Sequence, residues 1–220
     1  MCGDDLLRER GLALSEDDDR GLGEVIARQV DGADVVVDRD PDPVGAALLD
    51  HLATVPVMHL HELDVPALLQ PRSRAEVARR GDPLVLPARI PESREGVWTV
   101  RLETWRPLHP GRLRDNLEAI GGRPGRSRGV FWLPTRPDLV CRWEGAGGQL
   151  SLGAHTTWRE AGRRPCTTLL VTGVEDEEVE VVAAFEASLL TDSELAAGLE
   201  SWIGREDGYD PWLGARHDAA

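Results

Sequence analysis

The stretch that decides the fold runs from Pro107 to Gly148, PLHPGRLRDNLEAIGGRPGRSRGVFWLPTRPDLVCRWEGAGG. Its centre, Gly129–Pro134 (GVFWLP), is apolar on both strand faces. Val130 and Trp132 point one way, Phe131 and Leu133 the other, so the spacing predicts a strand covered on both sides. Upstream, Pro110–Ile120 predicts a short helix. It has Pro in its first turn, Leu113, Leu117 and Ile120 along one face, and a Gly121-Gly122 stop. Downstream, Leu139, Cys141 and Trp143 alternate with Val140, Arg142 and Glu144, and Gly145–Gly148 turns the chain into Leu150–Ala154. A helix followed by a meander of strands predicts an α+β fold, an antiparallel sheet with helices on one face.

HPGRL, then RSRGVFWLPTRPDLV, then WEGAGG closely resembles the C-terminal domain of the CobW family, over Arg106–Trp158. The resemblance implies relatives that are P-loop GTPases concerned with metal delivery. One branch is implicated in recruiting a ribosome-hibernation factor. Residues 1–69 resemble the end of that family's GTPase domain, with DDRGLGEVIARQVDGADVVV leading into its guanine-recognition strand. Where relatives read Asn-Lys-x-Asp, this chain reads Asp38-Arg39-Asp40-Pro41. The division expected is therefore a GTPase-domain remnant over 1–69, a linker over 70–96, and a CobW C-terminal domain over 97–220.

Composition bears on the activity. The chain has 220 residues and a formal net charge of −14, and all 25 of its basic residues are arginines. A Walker A loop needs a lysine to reach the β- and γ-phosphates, so that motif is excluded from this sequence. Asparagine occurs once, at Asn116, which excludes the Asn-Lys-x-Asp motif as well. There is no GxSxG elbow and no HExxH helix, so no enzyme class emerges and no catalytic residue is assigned. Cys2, Cys141 and Cys166 share no CxxC spacing and predict neither a structural zinc site nor a disulfide framework. With no apolar run of membrane length, the expectation is a cytoplasmic protein without a membrane partner.

The remaining segments follow from periodicity. Leu22, Val25, Ile26 and Val30 predict a helix ending at Gly32, with Ser15 and Asp18 as its starting box; Ala33–Val37 then predicts a buried parallel strand. Pro43 opens a second helix with Val44, Ala47, Leu48 and Leu52 inward, and Pro56–Leu60 reads as another strand. In the linker at most a short helix is expected, near Ala75–Arg80. Val97–Trp105 predicts a strand, as does the stretch around Leu169–Val171. Glu178–Leu190 predicts a helix, with Val182, Phe185 and Leu189 on its core side. The last helix starts at a Thr191/Glu194 capping box, presents Leu195, Leu199, Trp202 and Ile203, and ends at Gly204.

Two sets of side chains stand out. His59-x-His61, with Glu62 and Asp64 nearby, puts two imidazoles on one strand face. This is half of a metal site, zinc in the first instance, or a solvated strand end. The second set is basic. Residues 61–170 hold 12 acids against 18 arginines, while both flanks are strongly acidic. Arg106, His109, Arg112, Arg126, Arg128 and Arg136 are the candidate partner-binding residues. Interleaved Trp105, Phe131 and Trp132 could stack on RNA, but a protein partner is the stronger expectation, with Arg as a scattered substitute for Lys the blander one. For His109 the bland reading is a ring bonded to the backbone at the strand–helix corner.

The functional expectation is a non-catalytic protein-interaction module. The resemblance places it among GTP-dependent metal chaperones or ribosome-hibernation recruitment, its partner a GTPase subunit or a ribosome-associated factor. A metal-binding fragment using His59 and His61, and half of a split GTPase completed in trans, are the alternatives. The short parallel strands also predict self-association through an unpaired edge.

Overall fold

The structure is a computed structural model and describes residues 5–39, 42–69 and 73–216. The N-terminal layer opens with α1 (Leu22–Gly32), β1 (Val36–Asp38), α2 (Pro43–Leu52) and β2 (Val57–His59). β1 and β2 pair in parallel, Val36 with Val57 and Asp38 with His59. Both strands are shorter than Ala33–Val37 and Pro56–Leu60 suggested. At α2, Asp42 accepts the Gly45 N–H at 2.9 Å, and Pro43 sits where no donor is needed. The box expected at Ser15 does not cap α1, because Gly21 stands at that position with no side-chain bond. Asp18 instead accepts the Leu14 N–H and grips the Arg20 guanidinium at 2.8 Å, fastening the loop before the helix. Two short helices follow, α3 (Val65–Leu68) and α4 (Arg74–Arg80), the second where the linker was expected to hold one.

The larger unit contains β3 (Val97–Thr104), α5 (Pro110–Gly121), β4 (Arg126–Phe131), β5 (Leu139–Ala146), β6 (Gln149–Thr157) and β7 (Thr167–Val174). It continues with α6 (Glu178–Ala187), α7 (Asp192–Ala196) and α8 (Asp210–Leu213). The strands form one antiparallel sheet in the order β3-β7-β4-β5-β6. The last strand lies between the first two, so β3 and β4 run parallel with one strand between them, joined through α5. The fold is α+β, with a small parallel sheet beside the antiparallel one.

The alternation of the central stretch is realised. Phe131 and Leu133 enter the main core with Trp98, Leu113, Trp143 and Leu169; Val130 and Trp132 join Val140 and Trp158 on the opposite face. β4 itself ends at Phe131, earlier than the apolar run. Gly129 is required inside it. At φ 144° its absent Cβ would lie 2.1 Å from the Thr168 carbonyl oxygen, an approach no other residue allows.

One face of the sheet packs on α5 and α6, the latter through Val181, Ala184 and Phe185. The other face is covered by the N-terminal layer and the chain that follows it. Ala47 and Leu48 of α2 pack on Val97, and Leu84 packs on the Val130–Trp132 cluster. The single last helix expected over Leu195–Ile203 is broken. The Thr191/Glu194 box forms, but α7 stops at Ala196 and Gly198 takes φ 86°; a 3-10 turn then covers Glu200–Trp202.

A candidate interaction surface

The six basic candidates fall in three places. Arg106, His109 and Arg112 meet at the corner between β3 and α5. His109 caps α5, its Nδ1 accepting the N–H of Gly111 at 3.1 Å and of Arg112 at 3.2 Å. A nitrogen that accepts carries no proton, so the neutral ring holds its hydrogen on Nε2, 3.8 Å from Glu194 Oε1. Burial pushes the His109 pKa down, and the Arg112 charge adds to this. Arg112 donates to both Glu194 oxygens, at 3.1 and 2.7 Å, and to the Leu189 carbonyl. That guanidinium is the main reason the Glu194 pKa falls to about 2. Arg106 donates to the Leu190 carbonyl and to Asp192. The corner thus fastens the chain around Leu189–Glu194 to the start of α5.

Arg136 stands apart. Its side chain is 3% exposed and pairs at 2.9 Å with Asp207, whose carboxylate is wholly buried. It also donates to the Gly214 carbonyl, and Thr135 donates to Asp207 at 2.7 Å. With Tyr209 buried beside it and bonded to the Pro110 carbonyl, this cluster anchors the C-terminal strap. The residues of this cluster after Gly204 carried no periodicity that would have flagged them.

Arg126 and Arg128 lie on the second face of the sheet, side by side on β4. Asp31 at the end of α1 reaches both, at 2.8 and 3.0 Å, and Glu144 of β5 takes Arg126 at 2.7 Å. Both guanidiniums are nearly buried under the N-terminal layer. They border a groove of about 620 Å³ between α1, α4 and the β5–β6 face, where Arg28, Arg80 and Arg142 also face Glu24, Asp82 and Glu144. A second pocket of about 280 Å³ is mostly apolar, walled by Ile26, Ala27, Leu48, Leu49 and Leu52 and closed by the β5–β6 turn. Gly23 lets α1 approach that turn, since a Cβ there would meet Gly147 Cα at 2.7 Å.

The two imidazoles are arranged differently from a strand pair. β2 ends at His59, and His61 lies in a 3-10 turn, Leu60–Glu62. Their rings stack 5.7 Å apart at 3°, while Glu62 accepts the His59 N–H at 2.9 Å. Among the described residues no group of three or more His, Cys, Asp or Glu is placed to hold a metal ion. Nor, among them, is any helix long and apolar enough to cross a membrane. Cys141 is buried in the core, which raises its thiol pKa well above the ordinary range; Cys2 lies outside the described residues.

The exposed apolar residues are unevenly spread. Among the described residues, Leu14, Ile26, Val37, Val44, Leu60 and Leu69 are among ten large apolar side chains more than a third exposed before residue 78; only Trp105, Val179 and Trp212 are so exposed after it.

Residues 97–189, the sheet with α5 and α6, match the family model of the cobalamin synthesis protein cobW C-terminal domain. The match covers less than half of the chain. Among curated proteins, a zinc chaperone of Mycobacterium tuberculosis is 29% identical over 94% of this chain and 60% of its own length. An uncharacterised protein of Mycobacterium bovis matches to the same extent. The chain therefore spans three-fifths of the length of the curated relatives it matches. A crystal structure of zinc-bound YjiA GTPase from E. coli, at 16% identity, covers 76% of this chain and 55% of its own, with a TM-score of 0.44. The basic candidates from Arg106 to Arg136 sit within the matched residues, and Asp31, which holds two of them, lies outside.

Proposed function

We propose that the chain is a non-catalytic protein-interaction module of the CobW family, working in metal handling with zinc as the metal, and that its N-terminal layer is the contacting surface. The observation that carries this is the concentration of exposed apolar side chains on that layer, beside a two-stranded parallel sheet and an apolar pocket of about 280 Å³. Isolated exposed apolar residues need no explanation, but a rimmed concentration marks an interaction site. A parallel sheet is ordinarily covered on both faces, and two strands fall short of that. The arginines serve a different purpose in this reading. Arg106, Arg112, Arg126, Arg128 and Arg136 each pair with a carboxylate of this chain, so they shape the module and leave contact to the layer above.

The mycobacterial zinc chaperone supports the metal-handling setting. Metal and nucleotide would then belong to the partner, since the sequence has no lysine for a phosphate loop. Calorimetric titration of the chain with GTP and magnesium, and separately with zinc, tests the reading. Neither should give specific heat; micromolar affinity for GTP, about −8 kcal/mol, would contradict it. Stoichiometric zinc binding lost in the His59→Ala/His61→Ala double variant would favour the metal-binding alternative.

A further inference from the structure

His51 is a buried imidazole that the interaction reading does not use. It sits near the end of α2, 5% exposed, wedged between the N-terminal layer and the sheet. Its Nε2 lies 3.3 Å from the Glu92 carbonyl oxygen and its Nδ1 2.7 Å from Thr99 Oγ1 on β3; Thr99 Oγ1 is in turn 2.7 Å from Thr172 Oγ1 on β7. A carbonyl only accepts, so Nε2 carries the ring's proton. The neutral ring then offers Nδ1 as an acceptor to the Thr99 hydroxyl, and the Thr172 hydroxyl donates to Thr99. One directed chain, Thr172 to Thr99 to His51 to Glu92, crosses from the sheet through α2 to the 83–94 strap.

A second proton breaks that direction. Nδ1–H would point at Thr99, whose hydrogen must turn toward Thr172, and Thr172 must find a new acceptor. The water-sized cavity beside His51 and Thr172 is lined by Arg126 and Arg128 as well as Asp31, and Asp31 is already shared by those two arginines. On its own helix Asp50 would welcome a charge, but Asp50 is paired with Arg94 of the strap, and Arg94 opposes it.

We propose that His51 is a proton-operated latch: neutral, it fastens α2 and the strap to the second face of the sheet, and protonated, it releases them. Burial holds its pKa below the ordinary 6.5, with the Arg94 charge adding to this. The sign follows. The released state binds the proton more readily, so the fastened state keeps its full stability above 6.5 and loses it as the pH falls from there toward the lowered value. Each unit of lowering is worth tenfold in the opening equilibrium, about 1.4 kcal/mol.

The test uses the full chain between pH 8 and pH 5. NMR follows the His51 ring, and amide exchange, corrected for its intrinsic pH dependence, gives protection factors along α2 and β5. His51 should titrate below 6.5 and α2 protection should fall about tenfold per unit of lowering, with β5 unchanged. His51→Gln keeps one donor and one acceptor but cannot titrate, so its α2 protection should be flat with pH. Should that variant fail to fold, Thr99→Val serves, and it should move the His51 titration. An α2 protection independent of pH in the parent chain, a pH response surviving intact in His51→Gln, or a titration unmoved in Thr99→Val would overturn the latch. None of these outcomes bears on whether the N-terminal layer meets a partner.

Discussion

At the scale of single residues, the basic side chains serve as internal fasteners. The Arg136–Asp207 pair is the clearest, with both partners enclosed and Thr135, the Tyr209 N–H and the Gly214 carbonyl completing the hydrogen bonding. Such a pair adds little over an apolar replacement, but removing one member strands the other charge. Asp207→Asn should therefore cost about 3–5 kcal/mol by denaturant unfolding of the full chain. A loss below about 1 kcal/mol, the worth of an exposed pair, would show that water reaches Arg136. The sequence could mark Arg136 as charged but not as paired. Its partner lies 71 residues on, in a segment without helical or strand periodicity.

At the scale of elements, what the sequence disclosed follows from where burial is two-sided or sharply alternating. Gly129–Pro134 and Leu139–Glu144 were legible because every second residue enters a different core. The α5 start was legible from His109-Pro110, and α7's from Thr191 and Glu194, because capping chemistry is local. The α1 start was misread, since Ser15 and Asp18 stabilise a loop of their own. The 83–94 strap was also hidden. It has no regular structure, and what seats it are side chains far off in sequence, Arg163 on the Leu84 carbonyl at 3.0 Å and Arg128 on that of Val85. α4, by contrast, is exposed along most of its length. Trypsin should cut first after Arg79 or Arg89, with Arg126, Arg128 and Arg136 resistant, because cleavage needs locally opened backbone. First cuts within Gly129–Leu152 would contradict the central sheet.

At the scale of the whole molecule, two layers of unequal completeness share one sheet. The larger unit closes its own core, while the N-terminal layer covers the sheet's second face and leaves its outer side apolar. The match to the domain model was legible from the Arg106–Trp158 run; the apolar outer surface was not, because exposure depends on which face of α1 and α2 meets the sheet. Ile26 and Val44 looked like core positions and are 40% and 39% exposed. Leaving such surface in water forgoes about 25 cal/mol per Å², which a bound partner would recover. The most direct measurement is photo-crosslinking in the native cell, with a benzophenone amino acid at Val37 on β1 or at Val179 on α6, both well exposed. The account predicts a discrete adduct of defined mass from position 37 and none from 179. No adduct from 37, or the same adduct from both, would contradict it.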